Sequence, residues 1–98
     1  MQFLIKAFDG PGMLEKRLAV RPKHLEGMAR LKDHIICAGG LLDEEGRMKG
    51  SVLVVEFPDR AALDDYLASE PYVVEGVWQK IVVERMNVVL VNGEKAQG

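Results

Sequence analysis

Val52-Leu53-Val54-Val55-Glu56-Phe57-Pro58-Asp59-Arg60-Ala61-Ala62-Leu63-Asp64-Asp65-Tyr66-Leu67 changes its period halfway along. Its first six residues are β-branched, aliphatic or aromatic around a single charge, which predicts a strand through Val52 to Phe57. Pro58 and Asp59 stop that strand. Asp59 is suited to cap a helix from Arg60 to Leu67, whose apolar Leu63, Tyr66 and Leu67 fall on one side.

Upstream, the polar connection Leu42-Asp43-Glu44-Glu45-Gly46-Arg47 carries turn chemistry, and Ile35 to Leu41 reads as another strand. Two strands joined this way pair as a hairpin. Residues 2–8 alternate Phe3, Ile5 and Ala7 against Leu4, Lys6 and Phe8, a strand largely apolar on both sides that ends at Asp9-Gly10-Pro11-Gly12. A loop is expected from there through the charged Leu14-Glu15-Lys16-Arg17-Leu18 to Pro22. Pro22 is read as the first residue of a helix running to about Asp33, because proline is favoured at that position. Downstream, Pro71 ends the second helix, and a fourth strand is expected from Val77 to about Val91, followed by a disordered tail over 92–98.

The order is therefore β-α-β-β-α-β. It predicts an α+β, ferredoxin-like domain over 1–91, an antiparallel four-stranded sheet with both helices on one face. The other face would be bare. Because the third strand and Val88-Val89-Leu90-Val91 are apolar at nearly every position, a second copy of the chain is the expected cover, giving a homodimer through the open sheet face.

Bulk properties bound the function. The chain has 98 residues, 48% hydrophobic and 29% charged, with a formal net charge of -2, so neither nucleic acid nor anionic membrane is an expected partner. No apolar run is long enough to cross a bilayer, and Met1-Gln2-Phe3-Leu4-Ile5-Lys6 lacks the flanks of a signal peptide, so a cytoplasmic location is expected. The lone Cys37 cannot close an internal disulfide and reads as a small buried hydrophobe.

His24 is the leading candidate for chemistry. If Pro22 opens the helix, His24 lies in its first turn, where unpaired N–H groups favour a neutral, proton-accepting imidazole. The stripe His24, Met28, Leu31 and Ile35 then puts it at the head of the buried face. His24, His34 and Cys37 lack zinc spacing, and no glycine-rich segment matches a nucleotide-binding loop, so neither metal nor cofactor is expected.

Leu14-Glu15-Lys16-Arg17-Leu18, Val20-Arg21-Pro22, His24-Leu25, Ala38-Gly39, Gly50-Ser51, Pro71-Tyr72-Val73 and Gly76-Val77 together resemble the YciI-like, or YCII-related, proteins over Met1 to about Val83. The resemblance implies a dimeric α/β-barrel type of ferredoxin-like fold and a pocket with a paired His and acid. The histidine falls on His24. The acid falls on Glu70, where the family usually has aspartate before Pro-Tyr.

Relatives with known chemistry eliminate chloride from chlorinated hydroxyquinols, and related folds include muconolactone isomerases. The resemblance thus implies a cofactor-independent lyase or isomerase acting on a small oxygenated or cyclic metabolite. His24 would move the proton and Glu70 would fix its tautomer, while Ser51 and Tyr72 orient substrate oxygens and Arg21 neutralises a developing enolate. The alternative is a non-catalytic dimeric module that binds a small anion. Each residue also has a plainer role: Glu70 as a solvated residue before proline, Ser51 as a strand start, Tyr72 and Trp78 as packing aromatics, and Arg17 and Arg21 as surface partners of Glu15 and Glu26.

Overall fold

The computed structural model describes residues 1–95. Its elements are β1 (Gln2–Asp9), α1 (Leu14–Arg30), β2 (Ile35–Leu42), β3 (Met48–Glu56), α2 (Arg60–Ser69), α3 (Pro71–Val74), β4 (Trp78–Met86) and a small hairpin of β5 (Leu90–Val91) and β6 (Glu94–Lys95). The main sheet runs β2-β3-β1-β4, antiparallel throughout, which is the ferredoxin-like order. β1 lies inside it, with Ile5 opposite both Leu53 and Val83. The N-terminal ammonium of Met1 donates to the Phe57 carbonyl at 2.7 Å, which secures the start of that strand.

Alternation decides the two faces. Phe3, Ile5 and Ala7 of β1 and Leu53 and Val55 of β3 are buried with Val20, Leu63, Tyr66 and Tyr72 of the helical layer. Leu4, Lys6 and Phe8 turn the other way, beside Val52, Val54, Val82 and Met86. β3 reaches β1 closely at Gly50, where a Cβ would stand 2.4 Å from the Ala7 carbonyl oxygen, so only glycine lets the strands pair there.

The first helix differs from expectation. It begins at Leu14, so the expected loop is two turns of helix and Pro22 lies in its interior. Pro22 cannot donate to the carbonyl four residues back, a defect that costs about 3 kcal/mol in an isolated helix. Tertiary contacts on the opposite side offset it, since Arg17, Val20 and His24 form a buried stripe while Pro22 is exposed. Lys32–His34 follow as a 3-10 turn.

Two further differences concern the open face. β4 stops at Met86, and the chain folds back so that the Val88 N–H donates to Gln2 Oε1 at 2.7 Å and Val88 is buried. Leu90–Val91 then pairs with Glu94–Lys95 around Asn92 and Gly93, which both take positive φ. Residues 92–95 of the expected disordered tail are thus a hairpin, and 96–98 lie outside the described residues. Cys37 is exposed, not buried, because it lies on the edge strand, opposite Val54 on the open face. No helix among the described residues is long and apolar enough to cross a membrane.

Candidate active site

The segment Ser69-Glu70-Pro71-Tyr72 builds one wall of the site. A residue before proline is pushed to extended backbone, so α2 ends at Ser69 and Glu70 takes φ -63 and ψ 123. Pro71 then opens α3, a short helix for which the sequence offered no separate signal, and the Glu70 carboxylate caps it by accepting the Tyr72 N–H at 3.2 Å. Proline here both breaks one helix and starts the next.

That turn aims Glu70 inward, with its side chain 1% exposed. Glu70 Oε1 lies 2.6 Å from His24 Nδ1, and Oε2 accepts the Tyr66 hydroxyl at 2.6 Å. Three donors therefore converge on one carboxylate. The longer side chain of glutamate spans the gap to His24 with no break in the helix cap. With Nδ1–H directed at Glu70, the His24 tautomer leaves Nε2 as the free acceptor. Trp78 Nε1 is the only fully buried side-chain nitrogen or oxygen without a partner among the described residues, so His24 Nε2, which also has none, opens to accessible space.

His24 lies well inside α1, not at its N-terminus, because α1 starts at Leu14. The helix-end electrostatics expected for it act only within the first turn and do not reach this position. Its setting is aromatic instead: the ring stacks on Tyr72 at 4.1 Å and 19°, and Trp78 meets its edge at 5.9 Å.

A pocket of about 180 Å³ lies between α1 and the β2–β3 edge. Arg17, Arg21, His24 and Met28 face it from the helix, Ala38, Gly39 and Gly40 from β2, and Ser51 from β3, with Tyr72 also on its lining. The structure thus gathers His24, Arg21, Ser51 and Tyr72 around one space, with Glu70 directly behind the histidine. Arg21 is exposed and has no carboxylate partner among the described residues, so the surface pairing expected for it is absent.

Arg17 is the residue whose role the sequence misplaced. It is buried, not a surface partner of Glu15: Nη1 donates to both oxygens of Asp9 at 2.8 and 3.0 Å, Nη2 donates to Ser51 Oγ at 2.8 Å, and the guanidinium lies 4.7 Å from the Tyr72 ring centre. Arg17 precedes His24 by two helical turns, and that spacing was the available signal once the helix is extended back to Leu14. Burial pushes the Tyr72 phenol up, against the lowering charges of Arg17 and Arg21, and pushes the Tyr66 phenol up further with the help of the Glu70 charge. Both phenols stay protonated at neutral pH. No group of three metal-ligating side chains is present among the described residues.

The chain has the ferredoxin-like fold of the dimeric α/β-barrel type, shared by an antibiotic biosynthesis monooxygenase structure at TM-score 0.54 and 22% identity over 91% of this chain and 98% of that one. Within that class the chain belongs to the YCII-related domain family, whose profile matches residues 1–87. It is 36% identical over 92 residues to an uncharacterized protein of Haemophilus influenzae and 32% identical to Protein YciI of Escherichia coli, in both cases covering 86% of this chain and 94% of the relative. Among solved structures it is similar to 5-chloro-2-hydroxyhydroquinone dehydrochlorinase (TftG) of Burkholderia phenoliruptrix, in complex with 2,5-dihydroxybenzoquinone, at TM-score 0.83 and 28% identity over 89% of this chain and 94% of that one. The fold is thus one used by small-molecule enzymes and binding proteins.

Proposed function

We propose that the protein is a cofactor-independent lyase or isomerase that moves a proton on a small oxygenated or cyclic metabolite. The observation that carries this reading is the 2.6 Å contact between His24 Nδ1 and Glu70, which leaves Nε2 free at a pocket. Nε2 takes a proton from a substrate carbon, and the electron pair left behind moves onto a substrate oxygen as an enolate. Glu70 holds the tautomer and balances the imidazolium, Ser51 and Tyr72 donate to substrate oxygens, and Arg21 neutralises the enolate charge. The enolate then collapses, either taking the proton back at another carbon or expelling a leaving group with its electron pair. The likeness to TftG supports this chemistry.

The test is turnover of 5-chloro-2-hydroxyhydroquinone and related single-ring compounds, with deuterium uptake from D2O read by mass spectrometry. Native protein is expected to turn over at least one of them, and His24→Gln to lose a factor of about a hundred or more while still binding. Binding without exchange in the native protein would sink the enzymatic reading in favour of a small-anion binding module. We further propose a cytoplasmic homodimer joined through the open sheet face, supported by apolar Leu4, Val52, Val54, Val82 and Met86 on that side. Sedimentation equilibrium of the native protein and Val82→Glu reads it directly, and a native monomer at micromolar concentration excludes it.

A further inference from the structure

The Asp9–Arg17–Ser51 cluster is built like a site, not like a surface ion pair. Arg17 and Ser51 are 4% and 3% exposed, and the Asp9 side chain is 6% exposed. Both terminal nitrogens of the guanidinium are committed, Nη1 to the two Asp9 oxygens and Nη2 to Ser51 Oγ. Arg17 has no acceptor to offer in return. The Ser51 hydroxyl therefore has one of its two lone pairs occupied and a proton with no recorded acceptor among the described residues, while its side chain lines the pocket. A ligand oxygen that accepts this proton takes the place of pocket water.

We propose that the Asp9–Arg17 pair fixes Ser51 with one lone pair held by Nη2 and its proton free for the pocket, which biases it toward donating and so favours ligands that present an ionised or carbonyl oxygen there. Asp9 and Arg17 act through Ser51 and are positioning residues. Their effect differs from that of charge alone: Asp9 cancels the Arg17 charge, leaving Arg21 as the pocket's unpaired cation among the described residues, whereas the polarity of Ser51 depends on where Nη2 points. The inference deepens the proposed function and rests on the same pocket, but concerns binding and not proton transfer.

NMR titration of the native protein with benzoate, which only accepts at its oxygens, and with benzylamine, which only donates when charged, tests it. Native protein is expected to bind benzoate more tightly than benzylamine. Ser51→Ala should weaken benzoate about tenfold, and the Asp9→Asn, Arg17→Gln double variant, which releases Ser51 from the Nη2 bond at unchanged net charge, should narrow the benzoate preference. Titrations repeated in an Arg21→Gln background separate Ser51 from simple charge. Unchanged benzoate binding in Ser51→Ala overturns the proposal, as does a native protein that ignores benzoate at tens of millimolar. Ser51→Ala carries the decision where the double variant does not fold. Because no turnover is read, this result and the deuterium exchange assay can fail independently.

Discussion

His24 and His34 are alike in local geometry and unlike in what surrounds them. Each directs Nδ1 at an oxygen, 2.6 Å from Glu70 for His24 and 2.9 Å from the Glu56 carbonyl for His34. Each stacks on an aromatic ring, Tyr72 at 4.1 Å in one case and Phe57 at 4.7 Å in the other. Both are therefore held in one orientation and one tautomer. The difference is that a carboxylate balances the charge of an imidazole that accepts a proton, and a carbonyl dipole does much less of this. His24 also lines the pocket, and His34 is not among the residues that line it. A fixed, stacked histidine is common architecture; the buried counter-charge and the space in front of it are what single out His24 as the proposed base.

The contrast breaks most strongly at the two glutamates. Glu70→Ala strands the Tyr66 hydroxyl, the His24 Nδ1–H and the Tyr72 N–H in a buried place, and should cost about 3 kcal/mol or more in urea unfolding. Glu56→Ala removes no partner of His34, whose acceptor is main chain, and should stay within about 0.5 kcal/mol. Next comes exchange activity itself: His24→Gln should lose about a hundredfold or more, equal to about 2.7 kcal/mol, while His34→Gln should stay within about twofold.

Tyr66→Phe sharpens the comparison at the support behind Glu70. Removing its 2.6 Å hydrogen bond should cost about 1 kcal/mol and lower turnover several-fold. It also carries a pH signature. Burial, followed by the Glu70 charge, raises this phenol above its ordinary value of 10.0. A group raised in the folded state stabilises below its unfolded pKa and loses that contribution as pH climbs, so melting temperature should fall less steeply above about pH 10 in Tyr66→Phe than in the native protein.

The smallest effect belongs to neither histidine. Hydrogen bonding from the Arg47 N–H holds the Asp43 carboxyl below its usual range, against desolvation, and the Glu45 N–H and the Arg47 charge add to the lowering. Its contribution is present above the ordinary carboxylate value and lost as pH falls through the lowered one. Asp43→Asn should flatten the acid limb of the melting curve slightly and leave neutral turnover unchanged.

The strands, the second helix and the β-α-β-β-α-β order were legible because alternation and proline or aspartate stops are local signals. The start of α1 was not. Met13 makes no side-chain cap, so the residue before Leu14 carries no helix-start signal, while Pro22 carries a misleading one that tertiary burial overrides. Extending that helix by two turns is what brings Arg17 onto the His24 face and reveals Asp9, so one boundary error hid two residues. His24 was singled out by its place on the helix, and its contact with Glu70 was legible through the resemblance. Tyr66 was read only as an apolar helix position, since its hydroxyl finds Glu70 just beyond a break that the proline sets. Cys37 was read as buried from its neighbours' hydrophobicity, which says nothing about a strand being at an edge.

The interior place of β1 also has a kinetic consequence. Its residues 2–9 are synthesised before both of their partners, 50–56 on one side and 78–86 on the other. During synthesis this apolar strand leaves the ribosome with no neighbour in sight, and the sheet cannot close until β4 emerges. Folding must therefore wait for nearly the whole domain, which makes β1 the segment most in need of shielding on a growing chain.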